Sequence, residues 1–256
     1  MKKKSYIALI VASVMSVGLL MGCGAKNEDK NKKYLIATDA KFAPFSFEEN
    51  GSYKGIDVEV LDAIAKEEGF EYELKPMDFN GIIPGLTSNQ IDGAIAGMSI
   101  TDERKKALDF SDSYFESGLS IVTKKDNTSI NGESDLKGKK VSVKKGTAGA
   151  KFAEDNKDKY SLELNYFEDS PSVFQAVENG NSDFALEDYP VIGYKLKIDG
   201  SSKLKMAGDK VETANYGFSV NKGQNADLLK KFNEGLKKLK DNGKYDEIVN
   251  KYISKQ

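Results

Sequence analysis

The chain of 256 residues contains no histidine and a single cysteine, Cys23. The absence of histidine excludes nucleophilic sites built on Ser–His or Cys–His pairs and the common zinc sites with imidazole ligands. One cysteine provides no intrachain disulfide framework. Basic and acidic residues nearly balance, at 38 and 40, so the net charge of −2 indicates neither nucleic acid nor an anionic membrane surface as a partner.

The first 22 residues have the pattern of a bacterial export signal. MKKKSY is a basic n-region, and the apolar run that follows is about 16 residues long, shorter than the roughly 20 of a spanning helix. Cys23 comes directly after Gly22, which resembles a lipobox. We therefore expect 1–22 to be a lipoprotein signal peptide, Cys23 to carry the lipid, and 23–33 to be a flexible tether. A plain secretory signal with an incidental cysteine is the alternative.

From Tyr34 onward, short apolar runs alternate with segments of helical periodicity, which predicts an α/β fold. Strands are predicted at 34–38, 72–76, 92–98, 119–125, 139–146, 162–167, 182–188 and 216–222. Helices are predicted at 58–70, 81–88, 102–108, 147–156, 171–180 and 226–243.

A weak internal repeat lies within this series. GIIPGLTSNQIDGAIAG (81–97) and SVFQAVENGNSDFALED (172–188) align without a gap, with Asp92 opposite Asp183 and Gly97 opposite Asp188. Two copies of one arrangement predict two similar lobes. Ligands of open α/β sheets bind beyond the carboxyl ends of the strands, so a cleft between the two strand ends is expected.

One basic residue stands in an unfavourable place. ITDERKKAL (100–108) predicts a short helix capped by Thr101 or Asp102, with Glu103 suited to the first turn. Arg104 puts a cation at the positive end of the helix dipole, at a cost of up to about 1 kcal/mol. The spacing alone is compatible with a solvated surface arginine or with a cation that binds an anionic ligand.

Five segments together carry a specific resemblance: ATDAKFAPFSF (37–47), GIDVEVLDAIAKEEGF (55–70), KPMDFNGIIPGL (75–86), GMSITDERKKALDFS (97–111) and VSVKKGTAG (141–149). They resemble the polar amino-acid class of periplasmic-type solute-binding proteins of ABC importers, glutamine-binding proteins in particular. The resemblance implies a two-lobe α/β fold of the type II periplasmic-binding-protein kind, with two hinge strands and a cleft. Lobe 1 would comprise 34–117 plus 215–256, and lobe 2 would comprise 118–214.

An amino acid carries a carboxylate and an ammonium on one carbon, so its site needs a cation and an anion that face a common point. Arg104 suits the carboxylate because its planar fork can bind both oxygens. The resemblance assigns the ammonium to Asp188, to the carbonyl of Gly97 and to the hydroxyl of Ser99. Without the resemblance, Asp188 is equally a cap or turn residue before Pro190.

The resemblance implies further contacts with the ligand. Phe42 and Phe79 match positions where two aromatic rings hold its aliphatic stem. The backbone of Thr147 and Ala148 lies at a predicted helix start and offers N–H donors, although Ala148 replaces a glycine of the glutamine binders.

The side chain of the ligand would be read by three charged residues. Asp39 and Lys144 match the positions that contact the distal amide in glutamine binders, one as an acceptor and the other as a donor. Lys144 would repel a basic ligand and Asp39 would repel glutamate, which favours glutamine. Glu187 departs from the histidine of the glutamine-binder pattern. Its extra negative charge favours a more cationic ligand, unless it pairs with Lys144 and points away.

The sequence therefore predicts a monomeric, lipid-anchored receptor outside the cytoplasm that binds glutamine and delivers it to a membrane ABC permease. We expect no catalytic residue, no metal and no cofactor. The alternatives are a binder of arginine, glutamate or cystine, a dehydratase-like enzyme in which Glu187 is a general acid or base, and the sensing domain of a receptor.

Overall fold

The computed structural model describes residues 32–253. The predicted signal peptide, Cys23 and most of the predicted tether lie outside the described residues, and the lipid anchor stays a prediction. Within the described range, no helix combines the length and the apolar character that a bilayer crossing requires.

The described chain alternates strands with helices. In chain order the strands are β1 Lys33–Thr38, β2 Lys41–Phe42, β3 Ser46–Glu49, β4 Ser52–Lys54, β5 Glu71–Pro76, β6 Gly93–Ala94, β7 Leu108–Phe110, β8 Phe115–Lys124, β9 Lys140–Lys144, β10 Glu163–Phe167, β11 Phe184–Asp188, β12 Leu204–Tyr216 and β13 Ser219–Asn221. The α-helices are α1 Ile56–Glu68, α2 Phe79–Thr87, α3 Ala148–Asp155, α4 Lys157–Tyr160, α5 Ser170–Glu178, α6 Tyr189–Ile198, α7 Ala226–Asp241 and α8 Lys244–Tyr252.

Two five-stranded mixed sheets form the centres of two lobes. In the first lobe the order is β5-β1-β6-β13-β7, with β1 parallel to β5 and β6 and with β13 antiparallel to β6 and β7. In the second lobe the order is β10-β9-β11-β8-β12, with β9 parallel to β10 and β11. A small sheet, β2-β3-β4, accompanies them. The predicted two-lobe α/β architecture is confirmed.

Amphipathic helices bury one face each and so supply the core. In α1 the residues Val60, Leu61 and Ile64 recur at helical spacing and are fully buried. They pack in the same apolar cluster as Leu228 and Phe232 of α7. This packing fixes the start of α1, which lies close to the loop after β6.

The two longest strands, β8 and β12, pair antiparallel, from Leu204 opposite Lys124 to Tyr216 opposite Phe115. Tyr114, just before β8, donates its N–H to the carbonyl of Tyr216 at 3.0 Å. The predicted lobe boundaries, at 117/118 and 214/215, fall inside these paired strands. The boundaries themselves stay a prediction.

The internal repeat corresponds to repeated contacts. Asp92 accepts the N–H of Leu35 in β1 at 2.9 Å, and its own N–H donates to the Leu35 carbonyl. Asp183 does the same with Lys140, accepting its N–H at 2.7 Å and donating to its carbonyl. Each aspartate thus ties the start of a strand to the neighbouring parallel strand of its own lobe.

Three predicted elements differ from the structure, and one of them is the strand at 92–98, which is reduced to Gly93–Ala94. The helix at 102–108 is wrong, because the segment forms only a 3-10 turn, Arg104–Lys106, before the chain extends into β7 to pair with β13. Thr101 does cap this turn, since its Oγ1 accepts the Arg104 N–H at 3.2 Å. The strand at 216–222 is interrupted at Gly217, where any side chain would meet Ile100 at 2.9 Å. The strands β2 to β4, the long strand β12 and helix α6 were not predicted.

Candidate functional site

The predicted site residues lie on loops and element ends where the two lobes face each other, as expected for an open α/β sheet. The first lobe contributes Asp39 and Phe42 after β1, Phe79 at the start of α2, Gly97 and Ser99 after β6, and Arg104 in the 3-10 turn; the second contributes Lys144 at the end of β9, Thr147 and Ala148 at the start of α3, and Glu187 and Asp188 at the end of β11.

A buried ion pair crosses between the lobes. The Lys144 ammonium contacts the Asp39 carboxylate, and the two side chains are only 2% and 5% exposed. The same ammonium lies 4.6 Å from the ring centroid of Phe42 and 5.4 Å from that of Phe79. A buried pair carries a large desolvation cost that the aromatic faces reduce in part. We call Asp39, Phe42, Phe79, Lys144 and Glu187 the Lys144 end of the site.

Arg104 is the only arginine in the chain, since all other basic residues are lysine. Its Nη1 donates to the Ser99 carbonyl at 2.8 Å, and its Nη2 donates to the Gly146 carbonyl of the second lobe at 2.9 Å. Its guanidinium also lies 5.5 Å from the ring centroid of Phe79. Burial lowers the pKa of Arg104, with Asp188 opposing that shift. No carboxylate of the described residues forms a salt bridge with it, so several of its five N–H donors stay available.

A cavity of about 830 Å³ opens beside Arg104 and takes its walls from both lobes. Ser99, Arg104, Thr147 and Ala148 line it, and we call these four the Arg104 end of the site. Thr147 caps α3, because its Oγ1 accepts the Ala150 N–H at 3.2 Å. Among the described residues, nothing accepts the N–H of Ala148, which is directed out of the helix start.

Asp188 lies between the two ends. The Tyr216 hydroxyl donates to its Oδ2 at 2.7 Å. Burial raises the pKa of Asp188 to about 6, against the opposing effects of Tyr216, Lys144 and Arg104. Arg104 and Asp188 therefore influence each other electrostatically without forming a direct salt bridge.

Glu187 is only 5% exposed and is incompletely satisfied. Its Oε1 accepts the N–H of Asp188 at 3.1 Å, while its Oε2 has no hydrogen-bond partner in the part of the chain that the structure describes. The Ser170 hydroxyl is also without a hydrogen-bond partner among the described residues, and it lies near enough to Glu187 to lower the pKa of that carboxyl. Burial, followed by the charge of Asp188, raises the pKa of Glu187 to about 7, with Lys144 opposing the shift.

Gly97 occupies a position that only glycine fits. Its φ is +57°, and a Cβ atom would lie 2.3 Å from the Phe42 ring. Its N–H donates to Asp57 Oδ2 at 2.9 Å, with the Tyr114 hydroxyl oxygen 3.1 Å away. The carbonyl of Gly97 and the hydroxyl of Ser99 make no hydrogen bond within residues 32–253, which leaves both free for a ligand.

Sequence reasoning missed Asp57, which is fully buried. The available signal was helical spacing, because Asp57 lies on the same apolar face as Val60, Leu61 and Ile64. An acid on such a buried face needs hydrogen-bond donors from other parts of the chain. Among the described residues, no cluster of acidic or cysteine side chains has the grouping of a metal site.

Comparison with known proteins matches nearly the whole chain to one family. The family model for bacterial extracellular solute-binding proteins, family 3, matches residues 34–255. The arginine-binding extracellular protein ArtP of Bacillus subtilis (strain 168) is 33% identical over 255 residues, which cover 98% of each chain. The ABC transporter glutamine-binding protein GlnH of the same organism is 33% identical over 275 residues, covering 99% of this chain and 98% of that protein.

Solved structures agree with the family match. An ancestral arginine-binding protein bound to arginine has a TM-score of 0.82 and 41% identity, covering 87% of this chain and 98% of that one. An ancestral arginine-binding protein bound to glutamine gives a TM-score of 0.81 at the same identity and coverage.

Proposed function

Because the chain belongs to the bacterial extracellular solute-binding proteins, family 3, we propose that it is a receptor that binds one polar amino acid and delivers it to an ABC importer. One observation carries the proposal: Arg104 binds the carbonyls of Ser99 and Gly146, and Asp188 accepts from the Tyr216 hydroxyl, so the two opposite charges influence each other without forming a salt bridge with each other. The α-carboxylate and α-ammonium of an amino acid would complete both groups.

The carboxylate would bind at the Arg104 end. Arg104 offers N–H groups that neither Ser99 nor Gly146 uses, and Ala148 adds a backbone N–H at the start of α3. The ammonium would bind Asp188, the free carbonyl of Gly97 and the free hydroxyl of Ser99. These groups come from both lobes, so the ligand binds the closed arrangement better than an open one.

The side chain of the ligand would extend toward the Lys144 end, between Phe42 and Phe79. We propose L-glutamine as the ligand, because Lys144 and Asp39 are close together and provide one donor and one acceptor for the distal amide. Glutamine is neutral, and it leaves the charge balance of this pair unchanged.

Glu187 favours arginine as a second candidate. Its unpartnered Oε2 is an acceptor for an additional donor, and an ionised Glu187 gives the site an excess negative charge that a guanidinium would neutralise. A protonated Glu187 is compatible with a neutral amide. Since its pKa is raised to about 7, the protonation state of Glu187 would set the preference between the two ligands.

Calorimetric titration of the chain without residues 1–22 with the twenty amino acids tests the proposal. The protein is first unfolded and refolded to remove carried-over ligand. We expect heat with glutamine, with arginine or with both. No heat with any amino acid would overturn the receptor function, whereas binding of a different polar amino acid would overturn only the proposed ligand.

The lipid anchor is a separate proposal that depends on the sequence alone. If Cys23 is lipidated, Cys23→Ala should release the protein from cell membranes and abolish incorporation of labelled palmitate. Retention of the variant in washed membranes, without label, would contradict the anchor.

A further inference from the structure

Asp57 is a buried acid that none of the proposed ligand contacts uses. It is the second residue of α1 and is fully buried. Among the described residues, no cation forms a salt bridge with it. Its two oxygens instead accept hydrogen bonds from neutral donors, the Tyr114 hydroxyl at 2.8 Å and the Gly97 N–H at 2.9 Å.

Such an arrangement is costly in a protein interior. A buried carboxylate without a cation keeps most of its desolvation penalty, and burial raises the pKa of Asp57 to about 7 in spite of both hydrogen bonds. Val60 and Ile64 on the same helix face are apolar and fully buried. An apolar residue would therefore suit the packing of α1 better, whereas the positive end of the helix dipole favours an acid in the first turn. The two hydrogen bonds add a second reason for the acid, which is to hold Gly97 and Tyr114.

The two residues that Asp57 binds, Gly97 and Tyr114, lie next to the proposed ligand site and at the start of β8. Gly97 carries the carbonyl that faces the proposed ammonium position, and its φ of +57° belongs to a backbone state that glycine can easily leave. Tyr114 immediately precedes β8, and its N–H binds the carbonyl of Tyr216. Tyr216 in turn holds Asp188 through its hydroxyl. The Asp57 carboxylate thus joins the Gly97 peptide to the ends of the two long strands.

We propose that Asp57 is a positioning residue for the ligand's ammonium: together with Tyr114 it fixes the Gly97 backbone so that the Gly97 carbonyl points into the site. This inference rests on the proposed function. It assigns a role to a residue that does not touch the ligand. Loss of this positioning should weaken the contact with the ligand's ammonium more than the contacts with its carboxylate and side chain. A general loss of stability would weaken all of these contacts alike.

The variant Asp57→Asn tests the proposal. An asparagine side chain has one acceptor and one donor, so it cannot accept from both Gly97 and Tyr114. We expect the Kd for the amino acid to rise about tenfold or more, the size expected when a hydrogen-bonded polar contact is lost. Asp92→Asn is the matched control. It also exchanges a carboxylate that accepts a backbone N–H in the first lobe for an amide, and we expect its Kd to stay within about twofold of wild type.

A ligand analogue separates positioning from a structural role. In the α-hydroxy acid, a hydroxyl replaces the ammonium while the carboxylate and side chain remain. Asp57→Asn should weaken binding of the amino acid several-fold more than binding of the hydroxy acid. The increase in Tm that each compound causes at saturating concentration, in the wild type and in the variant, compares the two losses. Equal losses for both compounds would overturn the positioning role.

A second readout does not depend on the analogue. Hydrogen exchange at the Gly97 amide of the ligand-free protein should accelerate in Asp57→Asn and in Tyr114→Phe, but not in Asp92→Asn. Unchanged exchange at Gly97, or wild-type affinity in both variants, would overturn the inference. If the wild-type chain binds no amino acid, the proposed function fails instead, and the two failures are distinguishable. If Asp57→Asn does not fold, Tyr114→Phe carries the same test.

Discussion

The Arg104 end and the Lys144 end of the site differ in how far the protein satisfies its own polar groups. At the Arg104 end a cavity of about 830 Å³ borders a guanidinium and a helix start, and the described part of the chain supplies neither a carboxylate for the guanidinium nor an acceptor for the Ala148 N–H. At the Lys144 end the ammonium is already paired with Asp39 and lies over two aromatic rings. Within residues 32–253, the Oε2 of Glu187 is the side-chain atom of this end that is buried without a hydrogen-bond partner.

The difference separates two tasks of recognition. Every amino acid has the same carboxylate and ammonium, and the two charged groups that would bind them, Arg104 and Asp188, hydrogen-bond neutral partners but form no salt bridge with each other. The side chain varies among ligands, and the residues that would read it pair with one another. Changes at the Arg104 end should therefore affect all ligands, whereas changes at the Lys144 end should affect the choice among them.

Replacing Arg104 should have the largest effect. Arg104→Ala removes the only arginine of the site, and we expect the affinity for every amino acid to fall by about a thousandfold, as for the loss of one partner of a desolvated charge pair. The Tm of the ligand-free protein should change little, because the two carbonyls that Arg104 binds lie beside a cavity that admits water. Titration calorimetry and scanning calorimetry give the two quantities.

Lys105→Ala is the matched control for this variant. Lys105 is the next residue of the same 3-10 turn, and its side chain is 53% exposed. It should bind ligand as the wild type does. A large loss of Tm in Arg104→Ala would instead indicate a structural role for the arginine.

Glu187→Gln should have a smaller effect that differs between ligands. It removes the ionisable carboxylate from the Lys144 end, so arginine affinity should fall about tenfold while glutamine affinity stays within about threefold. In the wild type, arginine binding should tighten as pH rises from 6 to 8, because Glu187, with its pKa raised to about 7, becomes ionised. This slope should become shallower in Glu187→Gln, where Asp188, with a pKa of about 6, remains the titrating acid of the site. Parallel losses for both ligands would mean that Glu187 does not distinguish side chains.

The sequence revealed the two ends to different degrees. Arg104 stood out because a cation at a helix start is unfavourable, and the repeat placed Gly97 and Asp188 at matching strand ends. Lys144 and Asp39 could be paired only through the resemblance, since the pair spans 105 residues. Asp57 was missed because its partners are 40 and 57 residues away, and one of them is a backbone N–H that no side-chain pattern reveals.

The fold was predictable to a similar degree. The pattern of short apolar runs marked β1 and β5, whose residues are half-buried or buried except Lys33, Glu71 and Glu73. It failed for β12, where most of residues 208–215 are exposed and the strand is held by pairing with β8. The predicted helix at 102–108 failed because pairing with β13 overrides local helix propensity.

The buried acids should also make stability depend on pH. Asp57 and Glu187 have pKa values raised to about 7 and Asp188 to about 6, while unfolded carboxyls titrate near 4. Between these values the folded chain binds more protons than the unfolded chain, so the free energy of unfolding falls as pH rises. The Tm of the ligand-free protein should drop by several degrees from pH 5 to pH 8, at about 2–4 °C per kcal/mol.

Scanning calorimetry at a series of pH values checks this slope. Glu187→Gln should make the slope shallower, since one of the three acids no longer titrates. Asp109 has a pKa below its ordinary value because Lys222 donates to it, and it therefore titrates below this window. A Tm that rises between pH 5 and pH 8 would contradict the burial of these acids.

Removing an exposed ion pair between the lobes should have the smallest effect on ligand affinity. Lys41 and Asp169 join the lobes at 3.1 Å, but the lysine side chain is 58% exposed. Solvent and salt screen such a pair, so Lys41→Ala should raise the Kd by less than about threefold, and the change should vanish at high ionic strength. Lys54→Ala removes an exposed pair with Glu49 that lies within the small β2-β3-β4 sheet, and it is the matched control. A tenfold loss in Lys41→Ala alone would mean that closure depends on this exposed pair as well as on the two ends of the site.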